Sequence, residues 1–519
     1  MTENLKRKSK WPIKPDELPL VMLASSFSFG AVALAIFFRT WSDTLFLSHF
    51  SVDQIPIFYI WSAFAFAPVT MAYSWLSKRL PPVQLNTITL LCFAGLSSFC
   101  ARLPSTPILI FIILLMMSLV SPLVNAICWS VILERLDSLQ SKRLIPIISS
   151  AATIGAICAG GLAAEVIELG GLAALITLIS CTLVCLAALP RAILGGREVT
   201  LSRKEAKGSP SKTTLWSGLG QLAPLMQNSL LSVTMVATLM MATTTNLVDF
   251  LFKAEVQQNI AVEDLGPFLA RFHALTNLLI FILQFFVLNK LTGRLGLKSA
   301  YSLYPSSLFT FGTICLFPVG WFGLVVLRGV DTLMKFTVYT NTENLVLTPV
   351  PFVLRTQVKV LLKGAIYPLG GLIAGVIIWV ISYGSQGNAN LKIQITLIFT
   401  LILSLLWIRF TRQAHLHYIG QLAENIGLSR MVISLDESTI KLLSQFLSTD
   451  VESLETSQIL AFIEQLDQYV ESPKNELMTA WQKNDQSRAD LIEWIENMGR
   501  MHGIHGVGDR LEQMSAKVT

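Results

Sequence analysis

Ionisable residues stand inside long apolar stretches of this 519-residue chain. A charge within a membrane-spanning segment is costly, so each such residue is a candidate for function. Arg39 and Asp43 are four residues apart, as are Asp249 and Lys253, and residues at this spacing share one helical face and can pair. The pattern predicts two ion pairs at matching ends of two helices.

A further group, Arg328, Asp331 and Lys335, lies in the middle of another apolar stretch. Cations outnumber acids in the whole set, which holds Arg39, Lys253, Arg271, Arg328 and Lys335 against Asp43, Asp249 and Asp331. Surplus positive charge suits an anion, and the guanidinium fork suits phosphate or carboxylate. We therefore predict that an anionic substrate is bound by Arg328, Lys335, Asp331, Arg39, Lys253, Arg271 and Asn277.

Four acidic residues are predicted to act as gates or ion pairs: Asp43, Asp249, Glu134 and Glu343. The last two close the predicted fourth and tenth spans, near loop cations such as Arg143 and Arg355. An interpretation without a ligand stays open, in which Arg328, Asp331 and Lys335 only neutralise one another.

Motifs for other chemistry are missing from the sequence. No G-x-x-x-x-G-K-[ST] loop is present to cradle ATP phosphates, and no nucleophile with its base or dinucleotide motif is visible. The seven cysteines fall in apolar runs, where Cys behaves as a small hydrophobe. His415, His417, His502 and His505 lack the accompanying ligands of a metal site. The sequence predicts neither an enzyme nor a cofactor or metal.

The elements that must position the charges are about twelve apolar runs, which are long enough to cross a bilayer as helices. The chain is 53% hydrophobic and 14% charged, with a mean hydropathy of +0.59. The runs lie roughly at 18–38, 55–76, 83–101, 107–134, 144–167, 171–190, 229–251, 268–290, 299–318, 320–342, 357–383 and 391–410. This layout predicts an all-α membrane protein with twelve transmembrane helices in two six-helix halves, as in major-facilitator transporters.

Five regions follow from this division. They are a cytoplasmic tail (1–17), a first half (18–190), a basic linker (191–228), a second half (229–412) and an acidic appendage (413–519). The appendage has 16 acidic and 8 basic residues, and its apolar residues recur at helical spacing, so it is predicted to be soluble and α-helical. Its segment 434–466 resembles one HEAT-type helical hairpin.

Loop charges give an orientation. Lys and Arg concentrate in the N-terminal tail and the even-numbered loops, for example at Lys78, Arg203 and Lys298, whereas the odd loops hold few. Positive loops stay in the cytoplasm. The N-terminal apolar run is too long for a cleaved signal and lacks a small-residue cleavage site. We expect both termini to be cytoplasmic and the protein to lie in a bacterial inner membrane.

The two halves share landmarks that indicate an internal duplication. Asp43-Thr44-Leu45-Phe46 aligns with Asp249-Phe250-Leu251-Phe252 at an offset of 206, and Glu134 with Glu343 at an offset of 209. The fifth span of each half is glycine-rich, with Gly155, Gly160 and Gly161 in one and Gly370, Gly371 and Gly375 in the other. These glycines predict close helix packing, either as ordinary contacts or as surfaces on which the halves rock.

The stretch FFRTWSDTLFLSHF resembles the first-span signature of the non-mitochondrial ATP/ADP translocases of plastids and intracellular bacteria, with Arg39, Asp43 and Leu45 at the matching places. TTTNLVDFLFKAEV, RFHALTNLLIFILQFFV and the tract from Arg328 to Gly375 are also similar. The likeness is greater to bacterial relatives with helical-repeat tails. It implies a major-facilitator-like bundle and nucleotide traffic. Where the translocases usually have Lys before the Asp, this chain has Ser42, so one phosphate-binding cation is missing.

Two hypotheses follow. In the first, the protein is a secondary transporter that moves an organic anion, with a nucleotide (ATP/ADP-type exchange) as the leading substrate, by alternating access. In the second, it is a transport-inactive membrane sensor or interaction protein that acts through its cytoplasmic appendage. The expected partners are the lipid bilayer, a small anionic molecule and a protein that binds the appendage, but no nucleic acid.

Overall fold

The computed structural model describes residues 14, 17–77, 79–100, 106–136, 138–194, 228–286, 288–317, 320–350, 355, 358–359, 361–385 and 388–427, together with 489, 492–493, 495–496, 509 and 511–512. The described residues are helical apart from short turns and contain no β-strand. Most of the predicted linker and appendage, including segment 434–466, lies outside them.

The first half consists of α1 (Leu18–His49), α2 (Ile55–Ser77), α3 (Pro82–Cys100), α4 (Pro107–Ser118), α5 (Val120–Arg135) and α6 (Ser138–Leu194). A short 3₁₀ turn, Val52–Gln54, joins α1 to α2. Within α6, Gly171 adopts a φ of 65°, which favours glycine and interrupts the helical backbone. The break falls where the predicted fifth and sixth spans meet, so α6 is two helices in succession.

The second half consists of α7 (Ser229–Asn259), α8 (Leu265–Phe286), α9 (Leu288–Ile314), α10 (Trp321–Met334), α11 (Thr340–Val346), α12 (Tyr367–Gly384) and α13 (Ala389–Gly427). Two π-helical segments interrupt it, Lys335–Tyr339 between α10 and α11 and Leu362–Ile366 before α12. Helix α13 continues past residue 412, where the sequence predicts that the appendage begins. One continuous helix therefore crosses that predicted boundary.

Eight helical stretches among the described residues are long and apolar enough to cross a membrane: Leu18–His49, Val83–Cys100, Pro107–Arg135, Arg143–Leu194, Ser229–Asn259, Leu265–Gln284, Leu362–Gly384 and Ala389–Gln421. The 32 residues of α1 rise about 48 Å, more than the roughly 30 Å of a hydrocarbon core. Large apolar side chains such as Phe64, Ile108 and Trp379 point outward, as a lipid-facing surface requires.

Most of the described helices form one compact unit, which comprises residues 1–348 and 352–417. Within it α6 packs on α1, α3 and α8, while α2 packs on α12. The most extensive packing between the two halves is thus that of α1 and α6 against α8, and of α2 against α12.

Glycines allow close approach of helices, in a pattern that repeats between the halves. A Cβ on Gly155 would lie 2.5 Å from the Phe29 carbonyl oxygen of α1, and one on Gly370 would lie 2.4 Å from Cβ of Ala242 in α7. Both contacts stay within a half and join its first and fifth spans. The two glycines are equivalent by contact as well as by sequence.

A second glycine pair, five residues further along each helix, repeats the pattern across the boundary between the halves. A Cβ on Gly160 would lie 2.6 Å from the Ala274 amide nitrogen of α8, and one on Gly375 would lie 2.8 Å from the Pro56 carbonyl oxygen of α2. The same structural position thus contacts the second helix of the opposite half in both cases. This correspondence agrees with the predicted duplication.

A second compact unit comprises residues 349–351 and 418–519. Its described residues beyond α13 are helical, and Ile492, Ile495 and Leu511 are buried in it.

Candidate functional site

The two predicted ion pairs join into one network across the boundary between the halves. Arg39 Nε lies 3.8 Å from Asp43 Oδ2 and Lys253 Nζ lies 2.9 Å from Asp249 Oδ2, as the i, i+4 spacing predicts. Each cation also contacts the acid of the other half. Lys253 lies 2.8 Å from Asp43, and Arg39 lies 3.3 Å from Asp249. The paired ends of α1 and α7 are thereby held together.

Arg328 of α10 extends this network into the second half. Its Nη2 donates to Asp249 Oδ1 at 2.5 Å and its Nη1 to Asp331 Oδ2 at 2.7 Å. Both Arg328 and Asp331 are buried. A charge that is buried this deeply needs partners on more than one side, and Arg328 has two carboxylates.

Hydroxyl groups complete the coordination of the two buried carboxylates. Tyr59 of α2 donates to Asp249 at 2.6 Å, so a third helix contacts the same residue. Tyr304 of α9 donates to Asp331 at 2.5 Å, and Thr245 of α7 donates to it at 3.2 Å. Burial of a carboxylate is tolerable when hydrogen bonds and cations replace its water.

Charge within this network is balanced, which differs from the cation surplus that the sequence predicts. Three cations (Arg39, Lys253 and Arg328) meet three acids (Asp43, Asp249 and Asp331). Arg271 contacts another acid, Glu168 of α6, outside this group. Sequence reasoning missed that partner because Glu168 is distant in the chain and lies at the end of a span. The expected surplus thus reduces to a single residue, Lys335.

Lys335 begins the π-helical segment and is half-buried. No carboxylate among the described residues lies within ion-pair distance of it, so it forms no ion pair with Asp331, whose partner is Arg328. Its Nζ lies 5.4 Å from the ring centroid of Tyr367 and 5.9 Å from that of Phe336. These contacts weakly stabilise a cation. π-Segments of this kind are frequent at functional sites.

The polar residues of α8 divide between local and tertiary contacts. Asn277, a predicted substrate ligand, donates to the carbonyl oxygen of His273 in its own helix at 2.8 Å. Gln284 donates to the carbonyl oxygen of Phe336 at 3.2 Å and so ties α8 to the π-segment beside Lys335. His273 is buried and lies in the electrostatic field of Arg39 and Arg328.

The two glutamates that the sequence pairs by offset have different surroundings. Glu343 is half-buried and accepts a hydrogen bond from Thr238 at 2.9 Å. Glu134 is exposed, and no ion pair joins it to another described residue. Arg143, its expected partner, contacts Glu17 at 2.5 Å instead. Arg355 donates to the Thr348 carbonyl oxygen, also at 2.5 Å.

Further polar contacts join the halves at the same end of the bundle. Gln257 of α7 donates to the carbonyl oxygens of Leu47 and Phe50 at 2.7 Å each, and so caps the end of α1. Lys392 contacts Asp53. We refer to the contacts Arg39–Asp249, Lys253–Asp43, Gln257–Phe50, Lys392–Asp53 and Arg271–Glu168 as the interhalf clamp. Every interhalf hydrogen bond and ion pair for which both partners are described lies at this end, where α1 and α7 finish.

Several residues of the site give little signal in the sequence. Tyr59, Thr245, Tyr304 and Gln257 are uncharged and stand among apolar neighbours or near a helix end. Their one common feature is a polar group that would be unsatisfied in hydrocarbon, which predicts some partner but not its identity.

No protein-family model matches the chain, and no curated protein sequence matches it. Solved structures do. The chain is similar to the nucleoside transporter NupG (13% identity, TM-score 0.55, covering 78% of this chain and 98% of that one). It is similar to a bacterial homologue of the human lysosomal transporter Spinster in an inward-facing, unoccupied conformation (12%, 0.54, 79% and 99%).

The chain is also similar to a D-xylose–proton symporter (12% identity, TM-score 0.53, covering 77% of this chain and 98% of that one). At these identities the likeness concerns the fold. The protein therefore shares the all-helical fold of these solved transporter structures.

Proposed function

We propose that this protein is a secondary transporter that moves a small organic anion across a membrane by alternating access between its two halves. The observation that carries the proposal is the charged network at the boundary of the halves, in a fold that known transporters share. Ionisable residues inside a membrane-spanning bundle are costly, and for that reason they mark sites of binding or movement.

The proposed topology has twelve spans with both termini in the cytoplasm, as the loop cations favour. The interhalf clamp then lies on the outer side, and the protein in this state opens inward. The concentration of interhalf polar contacts at one end supports this assignment. Reporter fusions at Ser209 and Gly387, in two predicted loops, should report cytoplasmic and external positions respectively. Two fusions that report the same side of the membrane would contradict the proposed topology.

The charged residues have separate proposed roles, and not all of them bind substrate in this state. Arg39 and Lys253 are each engaged by a carboxylate of the opposite half, so in this state they hold the halves together. Arg328 is engaged by Asp249 and Asp331 of its own half. Lys335 is the proposed first contact for the substrate anion, because a bound anion would supply the countercharge that it lacks. Gln284 positions the backbone beside it.

A nucleotide is the proposed substrate class. Lys335 offers a cation for phosphate, and the neighbouring rings of Phe336 and Tyr367 offer surfaces for a base. The similarity of FFRTWSDTLFLSHF to the ATP/ADP translocases supports the same class. A nucleoside transporter with this fold is a further parallel.

Binding measured on purified protein tests the proposal. ATP, ADP and uncharged adenosine are titrated against the unaltered protein and against Lys335→Gln. We expect both nucleotides to bind and adenosine to bind much more weakly. In Lys335→Gln, the affinity for both nucleotides should fall towards that for adenosine. Equal binding of adenosine and ATP would refute an anion site, and nucleotide binding that is unchanged in Lys335→Gln would remove this residue from it.

A further inference from the structure

A shallow polar groove lies on the second half, away from the charged network. It is lined by Lys298, Ser299, Ser302, Leu303 and Ser306 of α9 and by Arg412 of α13, and its volume is about 420 Å³. The hydroxyls of Ser302 and Thr411 lie 3.1 Å apart and join the two helices at the base of the groove. Neither the substrate proposal nor the interhalf clamp uses any of these residues.

The groove presents two cations, Lys298 and Arg412. Among the described residues, no carboxylate lies within ion-pair distance of Lys298 or Arg412, and both side chains are exposed. The serines at 299, 302 and 306 follow one another at spacings of three and four, which places their hydroxyls on one face of α9. An ammonium, a guanidinium and nearby hydroxyl donors form a suitable set for a phosphate oxygen cluster.

The surface of α13 further from the groove is apolar. Helices α9 and α13 run antiparallel, since Ser302 contacts Thr411 while Gly312 faces Leu401. Along this direction α13 exposes about half of Ile398, Ile402 and Leu405. A row of exposed apolar side chains on the same helix as Arg412 suits an amphipathic ligand with a charged head.

We infer that this groove binds the phosphate headgroup of an anionic phospholipid, whose acyl chains lie along the exposed apolar side of α13. Basic pockets between transmembrane helices on the cytoplasmic side bind such headgroups. Lys298 and Arg412 contact the phosphate, and the hydroxyls of Ser299 and Ser306 donate to it. A soluble phosphate compound would use the same donors but would leave the apolar row without a role.

The test measures phospholipid binding to the purified full-length protein by native mass spectrometry, with delipidated protein and added phosphatidylglycerol or phosphatidylcholine. The variants are Lys298→Gln and Arg412→Gln. Arg409→Gln is the matched control, because Arg409 is an exposed cation on α13 that does not line the groove. Thermal melting of each variant without added lipid verifies that it is folded.

We expect the unaltered protein to retain phosphatidylglycerol in preference to phosphatidylcholine. Each groove variant should bind phosphatidylglycerol about fivefold more weakly than the unaltered protein, whereas binding to the control variant should stay within about twofold. Equal losses of phosphatidylglycerol binding in all three variants would indicate diffuse electrostatic attraction and would contradict the site. Unchanged binding in both groove variants would also contradict it. Complete displacement of the lipid by millimolar inorganic phosphate would show a soluble-phosphate site and would contradict the lipid assignment.

Discussion

Lys253 lies 2.8 Å from a carboxylate oxygen of Asp43, across the boundary between the two halves of the bundle. Its other acid, Asp249, belongs to its own helix and contacts Arg39 in return. A transporter that opens at this end must separate Lys253 from Asp43. The same atoms therefore stabilise one state and set the barrier to leaving it.

The first prediction concerns stability. Asp249→Asn removes the acid that Arg39, Lys253, Arg328 and Tyr59 share, and loss of one partner of a buried ion pair typically costs about 3–5 kcal/mol. Glu168→Gln breaks the ion pair with Arg271, in which both side chains are exposed (41% and 63%), and such pairs contribute about 1 kcal/mol or less. Thermal melting in detergent should show a large loss for Asp249→Asn and a small one for Glu168→Gln. Similar losses would contradict the assignment of Asp249 as the centre of the network.

The second prediction concerns the glycine contacts between the halves. Gly160→Ala and Gly375→Ala place a methyl group within 3 Å of the opposite half's backbone, at Ala274 and Pro56. Overpacking of this kind costs about 1–3 kcal/mol. Gly161→Ala is the matched control, because a Cβ there meets nothing within 4 Å.

Melting temperatures and substrate uptake should both fall in Gly160→Ala and Gly375→Ala, and to a similar extent, because the two positions are equivalent in the duplicated bundle. The control should match the unaltered protein. A loss in only one of the two variants would argue against that equivalence.

The third prediction separates two residues that lie seven apart on α10 and the π-segment. Arg328→Gln leaves Asp249 and Asp331 without a shared cation, so it should lower the melting temperature strongly. Lys335→Gln breaks no described ion pair, so it should leave melting nearly unchanged and weaken nucleotide binding. The melting temperature and the nucleotide affinity of both variants test this separation. The reverse pattern would show that Lys335 is structural and Arg328 binds substrate.

The sequence predicts local features of the site well. The i, i+4 pairs Arg39–Asp43 and Asp249–Lys253 form as expected, because helical geometry alone brings such residues together. The break at Gly171 and the glycine contacts of α6 and α12 also follow from residue types that permit them.

The tertiary partners could not be predicted in the same way. Whether Arg39 meets Asp249 and whether Tyr59 reaches the same carboxylate depend on how α1, α2 and α7 pack, which no short-range spacing encodes. For this reason the predicted cation surplus was wrong for Arg271, whose acid is 103 residues away in the chain. The exposure of Glu134 likewise depends on where α5 ends in the bundle.

Uptake of radiolabelled ATP into intact cells that express the protein tests the central claim most directly, with Lys335→Gln as the matched variant and a panel of unlabelled nucleotides and other organic anions as competitors. We expect saturable uptake above that of control cells, and inhibition by anionic nucleotides but not by uncharged nucleosides. Uptake should be lost in Lys335→Gln at unchanged expression. The organic anions of the panel are also supplied in radiolabelled form, and if one of them enters while ATP does not, the nucleotide assignment fails and the proposal of a transporter stands. No uptake of ATP or of any of these labelled anions by well-expressed, folded protein would contradict the proposal of a transporter.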